Sequence, residues 1–216
     1  MTGFPGSPRI LKGGLVLLDP NSGLPTRVIP LQYNPDSLSR TLQVQGMGQN
    51  ADRSEALRLK GPAVETIKLE AELDLTDLLE TADPTALAYG LNPQLAALES
   101  MIQPTSAALQ SNNSLASLGT LEIVPVESPL AVLVWGRSRV TPVRVTDFSI
   151  TEEAFDTELN PIRAKVSLGL RVLNINDVGF DDRAGMLFMA YLREKERLAG
   201  LAPAGQLGVM GIEAVV

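Results

Sequence analysis

Two stretches far apart in the chain alternate apolar and charged residues without a break. In Glu65–Leu75, Ile67, Leu69, Ala71, Leu73 and Leu75 share one parity, and Lys68, Glu70, Glu72 and Asp74 share the other. In Ile162–Val172, Ile162, Ala164, Val166, Leu168, Leu170 and Val172 alternate with positions that include Arg163, Lys165 and Arg171. Successive side chains of a strand point to opposite faces, so each stretch reads as a strand with one buried face and one face in water or against a partner. Strands of this kind must close their apolar faces over one another, as a barrel or a sandwich.

Shorter signals surround these two. Ile10–Asp19 reads as a strand with a bend or bulge at Gly13 and Gly14, Asp19–Gly23 as a turn, and Arg27–Tyr33 as the returning strand of a hairpin. Asn34-Pro35-Asp36-Ser37 initiates a turn, Leu38–Met47 reads as a third strand, and Gly48–Pro62 as an exposed polar loop. Asn92 and Pro93 open a helix as N-cap and first residue, with Leu95, Leu98 and Ile102 at helical spacing and Pro104 as its stop. Thr105–Gly119 has the composition of a mobile linker. Leu130–Trp135 is continuously apolar, as in a strand covered on both faces. Along Arg139–Ile150 the inward set slips from Val143 and Val145 to Phe148 and Ile150, which requires a bulge near Asp147. Asp181 or Asp182 caps a last helix from about Ala184 to Leu198, with Leu187, Phe188, Tyr191 and Leu192 on one stripe. The expected fold is α+β. One domain over 1–198 has about seven mainly antiparallel strands, a helix and linker inserted over about 84–120, and a C-terminal helix, followed by a flexible apolar tail over 199–216.

Composition narrows the chemistry. The 216 residues include no histidine and no cysteine, which removes the commonest general base, the commonest metal ligands and every disulfide. A net charge of −7 speaks against binding nucleic acid phosphates. There is no basic segment followed by an apolar one at the N-terminus and no apolar run of membrane-span length, so cytoplasmic synthesis is expected. One segment invites a catalytic reading. Glu152, Glu153, Asp156 and Glu158 crowd between Phe148 and Pro161, and a glycosidase needs two such acids across a cleft. Sugar clefts also offer aromatic platforms, and this chain has one Trp, three Tyr and five Phe. An EF-hand would need a glycine between the acids, and none lies there. The segment therefore reads as the charged turn of a hairpin, with no catalytic, cofactor or metal role. The bases Arg163, Lys165 and Arg171 follow on the outward face of the next strand.

Three stretches together resemble the tube-protein-like family of contractile injection systems, phage-tail-like particles that drive a tube through a membrane. They are LQYNPDSLSRTLQ (Leu31–Gln43), GPAVETIKLEAELD (Gly61–Asp74), and PLAVLVWG (Pro129–Gly136) leading into RVTPVRVTDFSITEEAFDTELNPIRAKVSLGLRVL (Arg139–Leu173). The resemblance implies a tube-type β-barrel that assembles in rings, hexameric in this family, and acts as a baseplate or inner-tube adaptor. Many members add a C-terminal LysM domain. Here only a short apolar tail follows Leu198, so peptidoglycan binding is not expected.

The expectation is a structural subunit, not an enzyme, joining the inner tube to the spike hub or sheath-side baseplate proteins. It would assemble in the cytoplasm into a particle, and release from the cell is left open. A tube cap or tube subunit of the same particle is an alternative, and so, from another class, is an acidic carbohydrate-binding or hydrolytic β-sandwich. The expected subunit interface comprises Phe148, Ile150, Glu152, Glu153, Phe155, Asp156, Glu158, Arg163, Lys165 and Arg171 of the hairpin, with Leu187 and Tyr191 of the last helix.

Overall fold

A computed structural model describes residues 10–19, 22–46, 58–117, 128–211 and 215. Its frame is a seven-stranded sheet with every neighbouring pair antiparallel. The strands are β1 (Gly14–Leu18), β2 (Pro25–Pro30), β3 (Leu38–Gln43), β4 (Val64–Asp74), β5 (Leu130–Val134), β6 (Val140–Phe155) and β7 (Pro161–Val172), in the order β2-β1-β5-β6-β7-β4-β3. Among the described residues, five α-helices complete the α+β architecture, α1 (Thr76–Glu80), α2 (Pro84–Tyr89), α3 (Asn92–Glu99), α4 (Ser106–Ser117) and α5 (Arg183–Ala199), with a 3-10 turn at Leu207–Met210.

The two alternating stretches are neighbours in the sheet, β4 and β7, between β3 at one edge and β6 at the centre. β4 pairs β7 from Thr66↔Arg171 to Asp74↔Arg163, so Ile67, Leu69, Ala71 and Leu73 lie opposite Leu170, Leu168, Val166 and Ala164. All eight are buried in one cluster with Leu15 and Leu17 of β1, Ala131 and Leu133 of β5, and Val143 of β6. The helical segment closes the same core with Leu75, Ala86, Leu91, Leu95, Leu98 and Met101, and α5 adds Phe188.

The two ends of the sheet meet through a side chain. Gln32, just beyond β2, donates from Nε2 to the Asp74 carbonyl at 2.6 Å and accepts from the Asp74 N–H at 2.9 Å. Its amide reproduces the paired bonds of a strand neighbour on β4, beyond the reach of β3, which covers β4 only up to Leu69. Two residues on, Asn34 accepts from Gly13 N and donates to the Leu11 carbonyl, both at 2.8 Å, which ties the same connection to the chain leading into β1.

Several expectations are corrected. Thr105–Gly119 is no mobile linker over its described part: α4 spans Ser106–Ser117, and the Thr105 hydroxyl accepts from Ala108 N in an N-cap arrangement. The N-cap of α3 is Leu91, and the Asn92 amide instead reaches Asn160 at 3.4 Å. Met101 is buried where Ile102 was expected, and Ile102 is 44% exposed. Helices α1 and α2 were not anticipated, although Asp83 caps α2 through Thr85 N and Ala86 N with Pro84 behind it. Asp182 is the N-cap residue of α5, as expected, and its carbonyl accepts from Met186 N, but its carboxylate accepts from Gly179 N and not from the helix. No bulge marks Gly13 and Gly14; the irregular register in β1 falls between Leu17 and Leu18, and Gly13 makes room for the Trp135 ring. The third strand ends at Gln43, and its expected end at Met47 lies outside the described residues, as does 48–57 of the expected loop.

The slip in β6 is present. Its register against β7 shifts between Val145 and Asp147, so Phe148 and Ile150 return to the inward face. Opposite the bulge stands Gly169, where a Cβ would sit 2.6 Å from the Asp147 Cβ. Gly169→Val is therefore expected to lower unfolding stability by about 1–3 kcal/mol, the usual cost of forcing extra atoms into a packed site. Urea titration should show a shifted midpoint with unchanged slope, and Asp147→Gly in the same chain should recover part of the loss.

Candidate functional site

The outward face of β4, β7 and β6 carries charges in cross-strand rows. Asp74, Arg163 and Glu153 form one row and Glu72, Lys165 and Thr151 the next. Glu70, Ser167 and Ser149 follow, then Lys68, Gly169 and Asp147, then Thr66, Arg171 and Arg144. The three bases expected to meet a neighbouring subunit have acidic partners in their own chain. Arg163 pairs with Asp74 at 2.8 Å, Lys165 with Glu153 at 3.5 Å, and Arg171 with Asp177 at 2.6 Å.

Asp74 is a junction. Its main chain is held by Gln32, and its carboxylate accepts from the Thr76 hydroxyl and N–H at the start of α1 and from Arg163 on β7. The Thr76 hydroxyl bond, helped by the Thr76 N–H and Arg163, outweighs desolvation and holds this carboxyl below its ordinary range. The three stretches that carry the family resemblance thus converge here, through Gln32, Asp74 and Arg163.

The acidic segment is mostly strand. Glu152 and Glu153 belong to β6, and only Asp156 and Glu158 lie in the turn. The Asp156 carboxylate accepts from the Asn160 side-chain amide, Asn160 N and Glu158 N, which closes the turn. The Asn160 amide is the largest influence among these, and together they hold the carboxyl below its usual value. Such a group stays ionised, the opposite of what a general acid needs. Among the described residues no group of three acids is placed to hold a metal ion. The turn presents Leu159, 79% exposed, in a left-handed conformation with φ of 66°. It also docks on the helical segment, because Leu91 N donates to the Pro161 carbonyl.

The remaining expected interface residues separate. Phe148 and Ile150 are half-buried against the core, while Phe155 at the end of β6 is 49% exposed. Leu187 is half-buried on α5. Tyr191 is 4% exposed and belongs to an internal ion cluster that sequence reading missed. There Glu65, 3% exposed, accepts from Arg40 Nε on β3 and from Lys195 Nζ on α5, each at 2.7 Å, and from the Tyr191 hydroxyl at 3.0 Å. Burial alone would push the Glu65 carboxyl up, but the bonds and charges of Lys195 and Arg40 outweigh it and hold it low. The signal was present: Glu65 has the same parity as Ile67 and Leu69, so the alternation itself places an acid on the buried face.

Beyond Val143, β6 has β7 on one side and no described strand on the other, because β5 pairs only Val140–Val143. The outer edges of β2 and β3 are likewise unpaired among the described residues. Exposed apolar side chains flank them, Leu24 and Val28 on one side and Leu42 and Val44 on the other. No helix of the described residues is long and apolar enough to cross a membrane.

No protein-family model matches the sequence, and no curated protein matches it. Among solved structures, it is similar to a chain in the tail of an empty GTA particle obtained with helical refinement and C6 symmetry. The identity is 12%, the TM-score 0.29, and the match covers 74% of this chain and 90% of that one. An overlap that loose does not establish a common fold.

The Glu65 cluster makes stability depend on acid. A carboxyl held low in the fold stabilises above its unfolded pKa and loses that contribution as pH falls through its folded value. Glu65→Gln is expected to cost about 1–3 kcal/mol at pH 7, because Arg40 and Lys195 are partly exposed and can still reach water. Below the carboxylate range the variant and parent should converge, as thermal unfolding at stepped pH would record.

Proposed function

We propose that this chain is a structural, non-enzymatic subunit of a contractile injection system. It acts as a baseplate or inner-tube adaptor that joins the tube to the spike hub or sheath-side baseplate proteins. The observation that carries this reading is the convergence of Gln32, Asp74 and Arg163 on one junction. The three stretches that resemble the family are distant in sequence, yet each supplies a part of one joint. A likeness concentrated in a fold-defining joint supports a shared architecture more than scattered similarity would.

The surfaces suit a ring. A head-to-tail ring requires two different patches on each copy. This sheet ends in two different edges, β2 with Leu24 and Val28 nearby and β3 with Leu42 and Val44 nearby. The free edge of β6 from Arg144 to Phe155 offers main-chain groups for an added strand. Six copies is the number the family resemblance implies. The acids of 152–158 close a turn and line a strand, which favours a structural role over hydrolysis.

Leu159 is a further contact element. A left-handed backbone costs a non-glycine residue about 1–2 kcal/mol, so an apolar side chain held there in water suits a surface awaiting cover. Leu159→Asn tolerates the same backbone. It should leave the melting temperature of the isolated chain within a few degrees and weaken ring formation about tenfold or more. Native mass spectrometry and electron microscopy of the chain with its particle partners would measure both. A chain that stays monomeric in every mixture, with complete particles forming in its absence, would refute the proposal.

A further inference from the structure

We infer that the outward face of β4, β7 and β6 stays in water in the assembled particle and forms no subunit contact. This rests on the structural-subunit reading and reverses one part of it, the expectation that Arg163, Lys165 and Arg171 meet a neighbour.

Every residue pointing outward in the five cross-strand rows is charged, a hydroxyl residue or Gly169. No apolar side chain interrupts them. Acids and bases are equal in number: Glu70, Glu72, Asp74, Asp147 and Glu153 face Lys68, Arg144, Arg163, Lys165 and Arg171. Interface cores are depleted in charge and enriched in aromatic residues, so this face has the composition of a surface that is never covered. Three of its five bases, Arg163, Lys165 and Arg171, are already committed at 2.8, 3.5 and 2.6 Å to acids of the same chain. Covering those pairs would remove them from water without giving them new partners, which is unfavourable. Exposed apolar residues lie off these rows, among them Leu24, Val28, Leu42 and Val44 by the sheet edges and Leu159 at the hairpin tip, and Tyr33 borders the face beside Asp74 and Arg163.

Charge balance defines what the face can tolerate. A surface with alternating signs presents no extended field to a charged polymer, and mobile ions screen what remains within about 8 Å at physiological salt.

The absence of cysteine supplies the test. Ser167→Cys places one thiol at the middle of the face, and Val28→Cys and Leu42→Cys place one at each edge. Assembled particles carrying each variant are treated with a small maleimide, and labelling is compared with that of the unassembled chain. The thiol at 167 should label to the same extent in both states, while at least one edge thiol loses most of its reactivity on assembly. As a second measurement, Lys165→Glu should leave particle yield unchanged. Protection at position 167 in intact particles, or loss of assembly by a folded Lys165→Glu chain, overturns the inference and leaves the structural reading standing. If none of the chains enters a particle, both fall together.

Discussion

The amide of Gln32 on the main chain of Asp74 is the contact on which the rest of the architecture depends. Without this contact the connection after β2 would be untied from β4, and the main chain of Asp74 would have no partner on the side that β3 does not reach. The bond pair is bidentate and partly buried, so its loss would strand a donor and an acceptor on Asp74 together. Asp74 passes the constraint onward, to α1 through Thr76 and to β7 through Arg163. One residue at a strand end therefore ties together the connection after β2, the start of the helical segment and the first row of the hairpin.

Legibility followed the range of the signal. The period-two runs of β4 and β7 and the parity slip in β6 are local patterns with one structural reading, and all three stand in the fold. Helices α1, α2 and α4 are short or built from residues without a strong apolar stripe, and the starts of α2 and α4 are set by side-chain caps at Asp83 and Thr105. Gln32 and Asn34 look like ordinary turn residues in sequence. Their meaning lies in partners at Asp74, Gly13 and Leu11, and no spacing rule reveals a partner forty residues away. Glu65 differs, because its parity with Ile67 and Leu69 already places it inside.

The charges of the hairpin have partners that composition alone does not reveal. Acids before a strand of outward bases suggest attraction between subunits. Within the chain, register and local sequence already give each base an acid: Asp74 of β4 reaches Arg163, Glu153 of β6 reaches Lys165, and Asp177 beyond β7 reaches Arg171. Electrostatic complementarity within one sheet uses the same residue types as complementarity between two molecules, and only the strand order separates them.

That strand order also governs how the chain reaches its fold. β4 finds its principal neighbour in β7, after the whole helical segment and two further strands have been made. During synthesis the apolar row of Ile67, Leu69, Ala71 and Leu73 must wait, covered by nothing more than β3 and the first helices. Pairings this distant in sequence are slow to form, since loop closure precedes the contacts that reward it. The nascent subunit thus has a period in which its most hydrophobic strand is a hazard, and the early packing of Leu91, Leu95 and Leu98 onto that row would act as an internal chaperone until β7 arrives.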